Sequence, residues 1–394
     1  MKKINSILLT LILITSFNLT NSCKNESHDI NNETNIKKLA QTKETIAVGV
    51  FKGNGTSPTC VKEAVEALKI DNGIVSVTIT ASDIIRSKLE NIDVMLFPGG
   101  SGSQSMLNLG EQAVEIVKEA VIKKGMGIVG ICAGGYLLSN TPNYPSMGLS
   151  GAEVIDREHY NRGNGLAEFE LTEQGKDIFP ELIGLEHVFI EYYEGPILAP
   201  AKDAKNKYNV LATFVSDIYQ KNNATKGITP GKPFFINTKM GNGKVFVSVA
   251  HPEATPGMRW IVPRMVRWAA NKDLISYEGN IIRPNLFNKE ILNDSNTEKE
   301  IDKLFYQLFD EDNKLQIEAI NKLEEMRAWS GKKWIPGLLR DNNAKVRERA
   351  AKYLADNEIT FALPEIKSAI LAEKNKATLT KLKEYEAILE AFTN

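Results

Sequence analysis

Between residues 45 and 272, short apolar runs alternate with stretches whose apolar positions repeat at helical spacing. The runs predict strands at 46–51, 74–79, 94–97 and 126–131, with further strands near 188–190 and 210–215. The amphipathic stretches predict helices starting at Pro58, at 112–123, after Cys132 and at 260–270. Buried strands that alternate with helices are typical of a parallel sheet covered on both faces, so we expect a flavodoxin-like α/β fold.

The rest of the chain has a different pattern. Residues 273–297 are rich in asparagine and aspartate and contain Gly279 and Pro284, so they are expected to form a linker. From 298 to 394 the apolar repeats have helical spacing, and residues 346–354 resemble part of a HEAT-type repeat. We therefore expect a small all-α, HEAT-like domain at 298–394, with an irregular helical bundle as the alternative.

The N-terminal residues predict export. Two lysines precede an apolar segment at 7–17, which is too short to span a bilayer comfortably. This segment leads to Cys23, so residues 1–23 resemble a lipoprotein signal peptide with Cys23 as the lipidated residue; an ordinary signal peptide is the alternative. Residues 24–44 lack apolar periodicity and are expected to be a flexible tether. The predicted location is the bacterial cell envelope, on the periplasmic or outer-surface side, with a lipid anchor in the membrane.

Candidate chemistry lies at the ends of two apolar runs. Cys132 follows the run at 126–131, and His251 and Glu253 follow a run that ends at Ala250. In a parallel sheet the carboxyl ends of the strands meet at one edge, where ligands bind. A thiol, an imidazole and a carboxylate at that edge predict a cysteine nucleophile with a base and an orienting acid.

Glycines supply the backbone freedom that this chemistry requires. Those around Cys132 permit a tight turn from strand to helix, which would project the sulfur. The N–H groups of Gly100 and Ala133 are the expected oxyanion donors, because glycines at Gly99 and Gly100 let the backbone approach a developing negative charge. The expected substrate-binding residues are Gly99, Tyr192, Tyr193 and Glu194. For the last three, a strand end with an aromatic corner is the structural alternative.

Four motifs, in this order, resemble the class I glutamine amidotransferase-like superfamily: residues 97–100, 131–136, 192–196 and 243–253. Over residues 45–272 the chain most resembles the group related to the N-terminal domain of biotin-protein ligases. The ligase domain itself has no counterpart here, so the resemblance does not imply biotin transfer. Glutaminases of this superfamily usually carry Leu-Gly-x-Gln after the nucleophile, where this chain has Ala-Gly-Gly-Tyr, so glutamine is not implied as the substrate.

The charge balance, Cys60 and the other histidines bear on possible partners, disulfides and metal sites. The 48 basic and 49 acidic residues nearly cancel, which gives no indication of nucleic-acid binding. Cys60 is expected to be a small apolar residue of the first helix, and a disulfide to Cys132 is not expected because it would block the nucleophile. His159 and His187 lack the spacing of metal ligands, so no metal site and no cofactor are predicted.

The sequence therefore predicts a hydrolase that cleaves an amide or peptide bond through a thioester on Cys132. Its expected partners are a small-molecule or peptide substrate, the membrane through the anchor, and a protein that binds the helical domain. One alternative is an envelope lipoprotein that binds a small molecule or peptide without turnover. Another is a scaffold that acts through its helical repeats.

Overall fold

The computed structural model describes residues 45–87 and 89–393. The predicted signal peptide, the lipidation site Cys23 and the tether lie outside the described residues. Within the described ranges, no helix combines the length and apolar character needed to cross a membrane.

The chain folds into strands and helices that alternate through its first part and become helical only at its end. The strands are β1 (Ile46–Phe51), β2 (Ile74–Ile79), β3 (Val94–Phe97), β4 (Gly127–Ile131), β5 (Ala152–Ile155), β6 (Asn164–Leu171), β7 (Phe189–Tyr193), β8 (Ile197–Pro200), β9 (Asn209–Phe214), β10 (Pro233–Met240), β11 (Gly243–Ser248) and β12 (Ile291–Asn293). The α-helices are α1 (Pro58–Leu68), α2 (Ala81–Ser87), α3 (Gly102–Ile122), α4 (Ala133–Leu138), α5 (Glu173–Lys176), α6 (Ile261–Ala269), α7 (Ser295–Gln307), α8 (Asn313–Glu325), α9 (Gly331–Trp334), α10 (Ala344–Asp356), α11 (Leu363–Ala372) and α12 (Lys376–Glu390).

Parallel strands form the half of the central sheet that carries the predicted chemistry. Their order is β2–β1–β3–β4–β11. Strands β1, β3 and β4 are buried along their whole length, which explains why they are continuous apolar runs rather than alternating patterns. The predicted flavodoxin-like α/β fold is thus confirmed, and these strands lie at the predicted positions.

Helices cover both faces of the parallel strands. A Cβ atom on Gly127 would lie 2.6 Å from the carbonyl oxygen of Ala269 in α6, and one on Gly130 would lie 2.7 Å from that of Gly134 in α4. Successive residues of a strand point to opposite faces, so these two glycines of β4 face different helices on different sides. Only residues without a side chain permit α4 and α6 to approach the strand so closely.

An antiparallel half extends the sheet beyond β11. Strands β10, β9 and β6 follow in that order, and β7 and β12 each pair antiparallel with β6. The strands expected near 188–190 and 210–215 are β7 and β9. The sequence pattern predicted neither β10 nor the antiparallel direction of this half, because alternation between strands and helices is lost here.

The helices after β12 pack around a second hydrophobic core of their own. Its fully buried members include Leu308, Ile320, Val346, Leu354 and Leu382. Asparagine and aspartate caps begin most of these helices, as at Asp294 before α7 and Asn343 before α10. The arrangement is all-helical, and its assignment as a HEAT-type repeat stays a prediction.

The helical unit is attached to the α/β unit by more than the connecting chain. Strand β12, in the stretch expected to be a linker, pairs with β6 from Ile291 opposite Leu166 to Asn293 opposite Asn164. On the other side, the backbone N–H of Gly257 donates to the buried carboxylate of Glu358 at 2.7 Å. The two units therefore share a hydrogen-bonded interface next to the carboxyl edge of the sheet.

Candidate active site

Three neighbouring strands deliver the predicted site residues to one edge of the sheet. Gly99 follows β3, Cys132 directly follows β4, and His251 follows β11, and β4 lies between the other two strands. The adjacent strand order explains how residues from distant parts of the sequence come together. This is the edge at which open α/β sheets bind ligands.

Cys132 occupies a strained turn between β4 and α4. Its backbone has φ 51° and ψ −105°, a conformation that costs a non-glycine residue about 1–3 kcal/mol. The turn is held from outside, because the Cys132 N–H donates to the carbonyl of Ser248 at 2.9 Å. A Cβ atom on Gly134 would lie 2.2 Å from the carbonyl oxygen of Phe97, so α4 is packed tightly onto the end of β3. Strain held by packing in this way is typical of a nucleophile turn.

His251 and Glu253 form a buried pair. The Nδ1 atom of His251 and Oε1 of Glu253 are 2.8 Å apart, and the two residues are 3% and 1% exposed. The backbone of the histidine is fixed on both sides: its N–H donates to the carbonyl of Glu191 at 2.7 Å, and its carbonyl accepts from Thr255 Oγ1 at 2.8 Å. The carboxylate therefore orients an imidazole whose backbone has little freedom.

The two thiols and Glu253 set the protonation of His251. Burial opposes the charged form, but the nearby charges of Cys132 and Glu253, together with the Cys132 and Cys60 sulfurs as acceptors for the protonated imidazole, raise the pKa of His251 well above its usual value. A protonated imidazole beside a cysteine stabilises the thiolate, which is the nucleophilic form.

Cys60 is a neighbour of this site, although the sequence interpretation gave it only the role of a small apolar residue in the first helix. It is buried in α1 as expected, and burial raises the pKa of its thiol. Its sulfur, a His251 ring nitrogen and a Glu253 oxygen all lie within 4.8 Å of one another. Cys60 and Cys132 are both free thiols. Its position in the first turn of the helix that follows β1 could have indicated that Cys60 lies near the site, because such turns lie at the same edge of the sheet.

The glycine loop after β3 closes around the same histidine. A Cβ atom on Gly99 would lie 2.7 Å from Cε1 of His251 and 2.9 Å from the Cys60 sulfur, so only glycine fits there. Gly100 has φ 142° and forms an isolated β-bridge with Thr56. The hydrogen bonds of this bridge are donated by the N–H groups of Ser57 and Ser101, so the N–H of Gly100 takes no part in it. Because Ala133 is the first residue of α4, its N–H has no acceptor within that helix.

The aromatic pair at the end of β7 lies against the nucleophile. The carbonyl of Tyr193 accepts a hydrogen bond from the Cys132 sulfur at 3.3 Å. Tyr192 is buried and its hydroxyl donates to the carbonyl of Gly195 at 2.7 Å, so its side chain forms part of the wall. Glu194 has φ 55°, and its carbonyl accepts from the hydroxyl of Tyr136 at 3.4 Å. The structure thus brings Tyr192, Tyr193 and Glu194 to this region, and Tyr193 contacts the sulfur.

The helical unit contributes Trp329, which the sequence interpretation missed. The Trp329 ring meets the His251 ring edge-on, with centroids 4.6 Å apart, and lies 6.2 Å from the ring of Tyr193. The ammonium group of Lys332 lies 4.5 Å from the tryptophan ring centroid. No local pattern marks Trp329 as a site residue, because its role depends on the packing of one unit against the other.

A buried charge cluster lies behind the histidine. Lys332 Nζ donates to the carbonyl of Ala254 at 2.6 Å and lies 3.2 Å from carboxylate oxygens of both Glu63 and Glu191. Arg327 pairs with the other oxygen of Glu191. Burial raises the pKa of Glu63 to about 7 although Lys332 opposes this shift. For Glu191, Lys332 and Arg327 outweigh burial and lower the pKa.

A recess of about 360 Å³ opens near Cys132 and His251, between the two units. We call it the interdomain recess. Its walls include Tyr192 and Tyr193 from β7, Trp329 and Arg327 from the segment after α8, and residues of α7. Because Tyr193 contacts Cys132 and Trp329 contacts His251, these two wall residues lie between the recess and the candidate reactive groups.

The comparisons with known proteins support the interpretation of the first part of the chain. Residues 46–159 match the family model described as biotin-protein ligase, N terminal. The matched segment contains Gly99, Gly100, Cys132 and Ala133, whereas His251 and Glu253 lie beyond it. The match covers well under half of the chain and indicates a glutamine amidotransferase-like fold for this segment. No curated protein matches the chain significantly.

Solved structures show only distant likenesses. A putative ThuA-like protein from Parabacteroides merdae is 11% identical with a TM-score of 0.42, and the alignment covers 60% of this chain and 94% of that one. The cytoplasmic protein STM3548 from Salmonella typhimurium is 14% identical with a TM-score of 0.36, covering 59% and 100% of the two chains. A β-galactosidase from Bacillus circulans is 14% identical with a TM-score of 0.35, covering 68% and 36%. At these scores we draw no functional conclusion from the neighbours.

Proposed function

We propose that the protein hydrolyses an amide or peptide bond through a thioester on Cys132. The observation that carries this proposal is that the buried His251 pairs with Glu253 at 2.8 Å and lies near enough to Cys132 for the charge of that sulfur to raise the pKa of the imidazole. A nucleophile, a base and an orienting acid in one buried cluster is the arrangement of cysteine acyl transfer.

The proposed reaction assigns a step to each of these groups. The Cys132 thiolate attacks the substrate carbonyl carbon, and the N–H groups of Gly100 and Ala133 stabilise the resulting oxyanion, where one donor is worth ~3 kcal/mol. When the C–N bond breaks, His251 gives its proton to the departing amine and leaves an acyl thioester. His251 then takes a proton from water, whose oxygen attacks the thioester to release the acid and restore the thiol. Glu253 keeps the imidazole oriented throughout.

The test uses the full chain in detergent and a panel of peptide and aminoacyl amides. We expect turnover in the wild type, loss of turnover in Cys132→Ala with nearly unchanged thermal stability, and an acyl adduct on Cys132 by mass spectrometry when wild-type turnover is quenched with acid. Equal turnover in Cys132→Ala would contradict the proposal. Cys60→Ser is the matched thiol control, because it leaves the nucleophile in place.

One observation favours the second candidate, binding without turnover. Cys132 and His251 are only 4% and 3% exposed, and Trp329 lies against the histidine, so the reactive groups are largely covered. A binding protein predicts that Cys132→Ala retains ligand affinity and cellular function. A hydrolase predicts that this variant retains affinity but loses cellular function.

We also propose that Cys23 carries the lipid anchor, a proposal that rests on the sequence of residues 1–23. Incorporation of an alkyne-labelled palmitate into the wild type and its absence in Cys23→Ser would support it. Labelling that persists in Cys23→Ser would overturn it.

A further inference from the structure

The interdomain recess has a charged wall that the reaction does not use. Glu298 and Asp302 occupy neighbouring turns of α7, at a spacing that places both on one face of the helix, and both line the recess. Lys221, which is buried, pairs with Glu298. Two carboxylates against one lysine leave this side of the recess negative.

Tyr193 lines the same recess as Glu298 and Asp302. Burial, followed by the charges of Glu194, Glu298 and Asp302, raises the pKa of Tyr193 to about 12. The same tyrosine carries the carbonyl that accepts from the Cys132 sulfur. Tyr193 therefore lies between the negative wall of the recess and the proposed nucleophile.

The positive groups on the opposite side of the recess are already occupied. Arg327 pairs with Glu191 and also donates to Asn357 at 2.6 Å. Lys332 is held by Glu63, Glu191 and the carbonyl of Ala254. In contrast, Asp302 is exposed at the rim and makes no ion pair within residues 45–87 and 89–393. An anionic ligand would thus meet no available cation, whereas a cationic ligand would meet an available carboxylate.

Aromatic rings complete the chemistry of a cation site. Tyr193 and Trp329 are 6.2 Å apart and both line the recess. Aromatic faces attract ammonium groups, and Trp329 already does so with Lys332 at 4.5 Å. Carboxylates combined with aromatic faces favour an ammonium or guanidinium group over a neutral or acidic one.

We propose that the interdomain recess binds a cationic group, a primary ammonium or guanidinium, of an amide substrate whose scissile carbonyl lies at Cys132. Only the identification of the ligand as a substrate rests on the proposed function, because the recess would prefer a cation whether or not the amide is cleaved. Both units of the chain would then contribute to specificity, with Asp302 and Glu298 from the helical unit selecting the ligand.

The test measures the charge preference of the site without requiring turnover. Cys132 of the full chain is modified with a cationic reagent, 2-aminoethyl methanethiosulfonate, and a neutral one, methyl methanethiosulfonate, and peptide mass spectrometry reports on Cys132 alone. The rate of Cys132 modification by each reagent is divided by the rate at which that reagent reacts with 2-mercaptoethanol, which corrects for the reagent's intrinsic reactivity. We expect the cationic reagent to be favoured, and the preference to fall roughly two- to fivefold in Asp302→Asn. Glu300→Gln, on the same helix but outside the recess lining, is the matched control and should leave the ratio unchanged.

A ratio at or below one in the wild type, or an equal fall in Glu300→Gln, would overturn the inference. A second measurement covers the case in which Cys132 is too enclosed for either reagent. Calorimetric titration of Cys132→Ala with lysinamide and norleucinamide should show tighter binding of lysinamide, and equal binding would overturn the inference. A cationic preference in a protein that cleaves no amide would support the recess while refuting the hydrolase proposal, so the two failures are distinguishable.

Discussion

Trp329 and His251 meet edge to face across the boundary between the helical and α/β units, with ring centroids 4.6 Å apart. One unit therefore supplies the proposed general base, and the other supplies an aromatic ring that packs on it. The contact makes the helical unit part of the candidate active site and gives it a role that a separate scaffold would not have.

We predict that Trp329→Ala uncovers Cys132. Aromatic contacts of this kind contribute ~0.5–1.5 kcal/mol, so their loss should speed modification of Cys132 by the bulky reagent N-ethylmaleimide by about tenfold at most. Trp329→Phe, which keeps a ring, should show a smaller effect and guards against misfolding. Trp334→Ala removes a half-exposed tryptophan of the same segment and should change nothing. An unchanged rate in Trp329→Ala would show that the ring does not restrict access.

We predict that Cys60 shifts the pH dependence of the site. Its hydrogen bond is one of the interactions that raise the pKa of His251, so Cys60→Ala should lower that pKa. If activity requires the imidazolium, the alkaline limb of the pH profile should therefore move to lower pH. Cys60→Ser, which keeps a hydrogen-bonding group, should shift the profile less. The measurement is the pH profile of amide turnover, or of Cys132 modification, in the three proteins; identical profiles would contradict the prediction.

Glu63 should make stability depend on pH. Its pKa is about 7 in the folded protein, above the ordinary 4.5, so the folded state binds the proton more tightly than the unfolded state. The contribution to stability is complete below pH 4.5 and is lost as the pH rises through about 7, by up to about 3 kcal/mol. Glu63→Gln should remove this loss, so thermal unfolding from pH 5 to 8 should show the variant gaining on the wild type as the pH rises. Parallel curves for the two proteins would disprove the assignment.

Lys332 should be essential for the attachment of the helical unit. Its removal in Lys332→Ala leaves Glu63 and Glu191 buried with less compensation, and breaking a buried pair costs about 3–5 kcal/mol. We expect a large fall in the free energy of unfolding and faster proteolysis between the units. Lys333→Ala, at the exposed neighbouring position, is the control and should remain within about 0.5 kcal/mol of the wild type. Similar stability of the two variants would show that the cluster does not hold the units together.

The parallel half of the fold could be predicted because its strands are buried on both faces. Continuous apolar runs such as the one before Cys132 carry that information locally, and the residue types at their ends indicate the chemistry. The antiparallel half was less visible, since β6 and β10 contain polar residues and no helix separates β10 from β11.

The parts of the site that could not be predicted depend on contacts between distant segments. Trp329, Lys332 and Glu191 acquire their roles only when the helical unit packs on β7 and on the loop after β11. A tryptophan and a lysine in a helical pattern are ordinary surface or interior residues when seen in sequence. Cys60 is an intermediate case: its helix was predicted correctly, but its contact with His251 depends on how α1 packs.

Strand β12 has a consequence for how a substrate reaches Cys132. Because it pairs with β6 and is followed directly by α7, it fixes the start of the helical unit beside the site, and swinging that unit away would also break the hydrogen bonds of Asn164 and Lys221 to Glu298. A wide hinge opening of the whole cleft is therefore unfavourable. Entry is expected instead through rotations of individual side chains at the rim, above all Trp329 and Tyr193, and such rotations are fast on the timescale of enzyme turnover. The protein would then admit narrow, flexible ligands readily and exclude folded ones, whatever their chemical affinity for the recess.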